Sequence, residues 1–442
     1  MARSGRLLAA LVGLAATLQG CGAPRLGPGP AMPAGIGAKA GAPAAWTLLV
    51  YQAAAGDLEE FAPLNLNEME AGLGSDRINV VVFFDGMKPG SAKLFEVVRD
   101  PGGMNKVVVS RRIADGGAVI PPSGDLDSGD PATLTRFATW GIQKYPARRY
   151  GLVIWNHGSG LFDDAQARNR RRDANPGQNE FGLMPDGFAW SDKTGKHMNT
   201  RDVPGILQAA GRAAGGPIDL LGFDACLMSH LEMAYQAKGL ARTMVASEEI
   251  EPGYGWDYRL WLKQLSARPD ADGNAVGAMA VKAYQETFSP GGSHYRPDED
   301  NNTLTATDIV VANTALVPAV NGLADALLAA LPGNKRALQR VRAASRSFDN
   351  KDCVDLGSFC QRLRASDLPE TVKVAATRVE TALGGTVVAL AKAGPKIQDA
   401  TGLVVYFPRS KKSYRDEYDD PGRIAFASER WRAFLRAYVK LD

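Results

Sequence analysis

The chain has 442 residues, 45% hydrophobic and 22% charged, a composition that suits a soluble body with a sizeable core. Setting aside Arg3 and Arg6, which fall in a leader, leaves 49 basic against 48 acidic residues, a net of +1. That balance excludes a protein built to bind nucleic acid or an anionic membrane surface through charge.

Residues 1–21 read as an export signal: Arg3 and Arg6 precede an apolar run, residues 7–18, too short to span a membrane. Leu18-Gln19-Gly20-Cys21 resembles the lipobox of bacterial lipoproteins, which implies a lipid on Cys21 and a place in the bacterial cell envelope, lipid-anchored or extracellular. Residues 22–45 are almost wholly Gly, Ala and Pro, too poor in apolar bulk to fold, and read as a disordered tether. The membrane is therefore met through the lipid anchor only.

The body begins with an apolar strand at residues 46–51 and a helical pattern at 57–72. Residues 78–84 form a continuous apolar, β-branched run, the pattern of a strand buried on both faces. Residues 93–99 and 106–112 flank Pro101-Gly102-Gly103 as an antiparallel hairpin. A helix is expected over 130–144, with Asp130 as its cap and Pro131 at its first position. A third apolar strand, 150–155, ends at Asn156-His157-Gly158-Ser159-Gly160. Residues 161–196 show no period and read as a long surface loop carrying Arg168, Arg170, Arg171 and Arg172.

A helix over 200–214 leads into the strand Ile218-Asp219-Leu220-Leu221-Gly222-Phe223-Asp224, which runs into Ala225-Cys226 and a helix-prone segment, 229–238. A further strand is expected at 242–247. Strands alternating with helices predict a mostly parallel sheet covered on both faces. Beyond residue 270 the pattern is mainly helical, at 274–288, 313–331, 335–348 and 368–383. Strand-like runs follow at 386–393 and 402–407, and an amphipathic helix at 430–440. Residues 46–270 are thus read as a catalytic domain and 271–442 as an α+β region packed on it. With Cys21 lipidated, Cys353 and Cys360 could form a disulfide if a helix boundary falls at residues 351–355, leaving Cys226 as the odd thiol.

The chemistry gathers where strands stop. His157 and Cys226 lie 69 positions apart but each follows a strand, and one crossover joins the two. Parallel strands end on one edge of the sheet, where α/β sites form. A Cys-His pair is what acyl transfer to a thiol needs: the imidazole takes the thiol proton and the thiolate attacks a carbonyl. The N–H groups of Gly158 and Cys226 are the natural donors to the developing oxyanion. If the strand persists to Cys226, Asp224 and Cys226 share a face, so Asp224 could pair with an Arg or Lys side chain of a substrate, or cap the helix that follows.

Other chemistries lack their residues. A Cys-based phosphatase needs Arg six positions after its Cys, where this chain has Glu232. No Gly-x-Ser-x-Gly elbow, CxxC, HExxH or phosphate-binding loop is present. His157, Cys226 and His230 match no strong metal-site spacing, and the proposed chemistry requires no cofactor.

Trp155-Asn156-His157-Gly158-Ser159-Gly160 and Asp224-Ala225-Cys226-Leu227-Met228 together resemble the clostripain family of cysteine peptidases, in the caspase-like clan. Ser247-Glu248-Glu249, Gly255-Trp256, Leu66-Asn67-Glu68-Met69-Glu70, Leu304-Thr305-Ala306-Thr307-Asp308 and residues 402–408 extend the likeness across 46–438. The resemblance implies a caspase-like α/β/α fold, a Cys226–His157 dyad, and cleavage of protein or peptide substrates after Arg or Lys. Asp224 would line the pocket for that basic residue, with Glu248 as a second carboxylate. It also implies calcium in some members, with no ligands assigned here, and self-processing between the His and the Cys, for which Arg168, Arg170, Arg171 and Arg172 are candidates. One departure is plain: Ala55-Gly56 precede Asp57-Leu58-Glu59 where the family tends to carry an Asp-Asn pair. A catalytically silent lipoprotein using the same fold for partner binding is the other reading.

Overall fold

The computed structural model describes residues 43–114, 116–162, 187–296 and 301–440. Cys21, residues 22–42 of the expected tether and the Arg168–Arg172 cluster lie outside the described residues, whereas Ala44 and Ala45, expected at the end of that tether, open the first strand.

Five strands run parallel at the centre of the molecule. They are β1 (Ala44–Ala53), β2 (Ile78–Asp85), β5 (Ala147–Trp155), β8 (Ile218–Asp224) and β9 (Ala241–Ala246), in the order β9-β8-β5-β1-β2. β3 (Lys93–Glu96) and β4 (Arg111–Arg112) add antiparallel beyond β2. At the other edge β10 (Asn302–Asp308) pairs antiparallel with β9, and β12 (Val387–Ala393) with β10, giving nine strands in one sheet. Residues beyond 271 therefore supply two strands of the same sheet.

Side-chain alternation divides the core into two layers. Leu49, Tyr51, Leu152, Ile154, Leu221 and Phe223 face one cluster, with α2 (Pro131–Lys144) and α3 (Val203–Ala214). Leu48, Val50, Val153, Trp155 and Leu220 face the other, with α1 (Ala62–Gly72), α5 (Tyr258–Ala267) and α6 (Gly273–Phe288). Helices thus cover both faces. Asp130 caps α2 as expected, accepting the Ala132 N–H at 2.8 Å, with Pro131 at the first position.

The C-terminal helices enlarge the first layer. α7 (Val317–Ala344) packs on α9 (Glu370–Thr386) and α10 (Arg430–Lys440). The helical run from Ile309 to Ala344 is long and apolar enough to cross a membrane by length and composition alone. Val320, Leu323, Ala324 and Leu327 are buried on its inner face, which marks it as a core helix. Pro332 and Gly333 leave helical backbone, Gly333 at φ 87°, and so divide it into the two helices expected on either side of residues 332–334.

Four expectations change. The hairpin at 93–112 keeps only two rungs, Phe95 with Arg112 and Glu96 with Arg111. The loop expected over 161–196 ends in an antiparallel ribbon, β6 (Phe188–Ser191) with β7 (Lys196–Met198). β11 (Cys353–Asp355) does precede α8 (Leu356–Arg364), as a Cys353–Cys360 disulfide would need, yet both thiols are free and buried. Cys353 pairs with Tyr406 of β13 (Val404–Tyr406), whereas Cys360 sits in the second turn of α8. Finally, the strand carrying the nucleophile stops at Asp224 and does not reach Cys226.

Candidate active site

The register of the sheet brings the two key segments together. Trp155 of β5 pairs with Asp224 of β8, so His157 and Cys226 each lie two residues past the same rung. Asn156 ties the turn down: its N–H donates to the Asp224 carbonyl at 3.2 Å and its side-chain amide to the Ala53 carbonyl at 2.6 Å. From Gly158 the chain meets β6 through a bridge to Phe188, and the Ser159 N–H donates to the Gly187 carbonyl. A Cβ on Gly158 would lie 2.4 Å from the Cys226 carbonyl oxygen, so only glycine admits so close an approach.

After Asp224 the chain turns sharply, with Leu227 at φ 63°. Such backbone is strained for a branched side chain and persists because its neighbours hold it. The Leu227 N–H donates to the Glu249 carbonyl and the Ser229 N–H to that of Ser247, binding the turn to the chain after β9. From the other side, the Val404 N–H of β13 donates to the Ser229 carbonyl. Only then does α4 (Leu231–Gln236) begin, with Glu232 buried under the Tyr406 N–H and the Tyr418 hydroxyl.

The imidazole and the thiol look to different partners. His157 Nε2 lies 2.7 Å from Asp57 Oδ1, and this hydrogen bond holds the Asp57 carboxyl below its usual value. Asp57 follows β1, the neighbour of β5, so the same sheet edge that pairs His157 with Cys226 delivers the carboxylate as well. Cys226 is buried, and its Sγ accepts the Glu251 N–H at 3.3 Å. Among the described residues no hydrogen bond joins the thiol to the imidazole. Burial first, then the nearby Glu251 charge, pushes the thiol up to about 12. A thiol in that setting is protonated at neutral pH.

Asp224 does not cap a helix. Its carboxyl accepts the Trp256 N–H at 3.2 Å and the Tyr258 hydroxyl at 2.7 Å, and a Cβ on Gly255 would lie 2.8 Å from Asp224 Oδ1. Burial pushes its carboxyl up to about 7. Glu251 lies against it, and burial followed by the Asp224 charge pushes the Glu251 carboxyl well above its ordinary value. Among the described residues neither Glu251 oxygen has a hydrogen-bond partner of ordinary geometry. Two buried carboxyls in contact cannot both ionise without a cation between them.

Glu248 is placed elsewhere. Its Oε2 accepts the Gly402 N–H at 3.0 Å and its carboxyl adjoins Asp355, so burial and that neighbour keep it well above its ordinary value. It ties the end of β9 to the C-terminal region. Asp57 and Glu251 are the residues that sequence reasoning did not single out. Asp57 was signalled by its place just past a strand next to that of His157; Glu251, in a loop without period, carried no local signal. Among the described residues no group of three or more His, Cys, Asp or Glu could hold a metal ion.

Comparison with known proteins places this geometry. The chain covers 88% of itself and 99% of a secreted C11 cysteine protease from Bacteroides thetaiotaomicron, solved with an irreversible peptide inhibitor, at TM-score 0.61 and 20% identity. An inactive zymogen C11 protease from Parabacteroides distasonis matches 89% of this chain and 98% of its own at TM-score 0.60 and 16% identity. Clostripain of Hathewaya histolytica is 26% identical over 172 residues, 38% of this chain, and the match spans 30% of clostripain's length. Residues 50–434 match the profile of the clostripain family, peptidase C11, and the chain belongs to that family of cysteine peptidases.

Proposed function

We propose that the protein is a cysteine endopeptidase that cleaves after Arg or Lys, with Cys226 as nucleophile and His157 as general base and acid. The observation that carries the reading is the β5–β8 rung: it sets both residues at one height on the carboxyl edge, with the Gly158 backbone against that of Cys226. For turnover the thiol leaves the Glu251 N–H and gives its proton to His157, whose charge Asp57 stabilises. The thiolate attacks the scissile carbonyl, and the N–H groups of Gly158 and Cys226 hold the oxyanion. His157 then protonates the leaving amine, and water, deprotonated by His157, releases the acyl group from Cys226.

Asp224 and Glu251 support the preference for a basic residue. A guanidinium or ammonium entering between them would displace the shared proton and pair with both. The buried thiol further suggests a resting form matured by a cut after Arg168, Arg170, Arg171 or Arg172. Lipid on Cys21 would hold the enzyme on the cell envelope by a tether.

The deciding experiment is turnover of peptide amides ending in Arg, Lys or a neutral residue, with reductant, and with and without calcium. Cleavage of the basic pair alone is expected; no cleavage of any peptide would sink the reading in favour of a silent partner-binding lipoprotein. Mass spectrometry of the purified chain should find a new N-terminus after one of the four arginines, and an intact but active chain would refute maturation. Replacing Cys21 by Ser should move the protein from the membrane to the soluble fraction.

A further inference from the structure

A pit of ≈ 490 Å³ opens in the C-terminal half, lined by Arg342, Arg346, Lys351, Asp399 and Arg409 among others. Its charges do not cancel. Arg346 pairs with Asp399, Nε to Oδ1 at 2.9 Å, and Arg409 with Asp352, Nε to Oδ1 at 3.4 Å. Arg342 and Lys351 have only carbonyls. The Arg342 Nε donates to the Phe407 carbonyl at 3.1 Å, and its Nη2 to the Phe407 and Lys351 carbonyls, both at 2.6 Å. Lys351 Nζ donates to the Phe348 carbonyl at 2.5 Å. Among the described residues no carboxylate lies at ion-pair distance from either.

Arg342 is 5% exposed, so a guanidinium has been taken out of water without an ion-pair partner, Asp352 acting on it only from beyond that distance. That is costly, and a partner that supplies the missing charge relieves it. A concave wall of low polarisability also focuses the positive potential into the pit. Guanidinium and ammonium donors together match the oxygens of a phosphoryl group. We propose that this pit is a binding site for a phosphate group, separate from the peptidase site. The phosphate could be free, carried by a soluble ester, or presented by a lipid headgroup.

The test is calorimetric titration of inorganic phosphate into the full chain, with ionic strength held constant by sodium chloride. One saturable site is expected, with the melting temperature rising as it fills. The doubly substituted Lys351→Gln, Arg409→Gln chain removes two charges from the lining, and phosphate should bind at least about tenfold more weakly. Arg342→Lys keeps the charge and removes Nη1, the donor not spent on carbonyls; it too should bind more weakly once circular dichroism shows it folded. Phosphate heats no different from those of chloride, or equal affinity in the double variant, would overturn the site. Glycerol phosphate and phosphatidylglycerol vesicles then separate the sources: the soluble ester alone assigns a dissolved ligand, whereas vesicle binding lost in the double variant assigns a headgroup.

Discussion

The two sides of the proposed dyad are built from the same residue types in opposite surroundings. On the histidine side Asp57 has its side chain 65% exposed, and the His157 hydrogen bond keeps it ionised. On the thiol side Asp224 is 4% exposed, and burial pushes it up to about 7 beside Glu251, which is pushed well above its ordinary value. Carboxylates thus sit in two settings at one edge of the sheet. The wet one keeps its charge beside an imidazole, while burial and mutual contact favour the protonated form of the dry pair. Solvent access, not residue type, assigns the roles.

The largest break in this comparison comes from removing either reacting group. Cys226→Ala or His157→Ala should lower kcat/KM on the order of 10⁴-fold, since two groups acting as a unit fail together. Near-native turnover in either variant would move the nucleophile or base to other residues. Next is the buried pair. Asp224→Asn should lower kcat/KM for Arg and Lys peptides about 10²-fold, the effect of removing one partner from a desolvated charge pair. Glu251→Gln should cost about tenfold, with Arg substrates losing more than Lys because the guanidinium spans two carboxylates. An unchanged preference in both variants would hand the selecting role elsewhere.

The same pair predicts how stability depends on pH. The folded Asp224 carboxyl is raised from 3.8 to about 7, so folding favours its protonated form. Its contribution is fully present below the unfolded value and is lost as pH rises through the folded one. Denaturant unfolding should therefore show the wild type losing about 2 kcal/mol between pH 5 and pH 8, and Asp224→Asn a flatter profile. An equally steep profile in the variant would place the titrating group elsewhere.

Much of this was legible in the chain because parallel strands announce themselves. Residues 78–84 and 150–155 are apolar throughout, and both became central strands. β10 escaped as a strand because it reads Asn302-Thr303-Leu304-Thr305-Ala306-Thr307-Asp308; its threonines are fully buried, which polarity alone would not suggest. α5 was hidden behind the loop that wraps Asp224, and its cap, Asp257, carries the signal that was available. Alternation along β8 linked Asp224 to Cys226, but the strand ends before the thiol and Leu227 turns the chain. The two residues are neighbours through Glu251, whose backbone meets the sulfur and whose carboxyl meets Asp224. That contact spans 25 positions and has no local pattern to read.

The smallest effect tests the wet side of the comparison. Asp57 touches His157 and not the thiol, so in the proposed mechanism it is a positioning residue. Asp57→Asn keeps the shape and loses the charge; it should lower kcat about tenfold with KM unchanged, because the carboxylate matters when the imidazole becomes charged and not when the peptide binds. Asp57→Glu, which restores the charge on a longer arm, should recover part of the loss. Were Asp57 only a surface brace for the first turn after β1, both variants would move stability and leave kcat alone. A fall in kcat without a rise in KM, partly rescued by Glu, separates the two, and it would show that the exposed carboxylate acts through its charge.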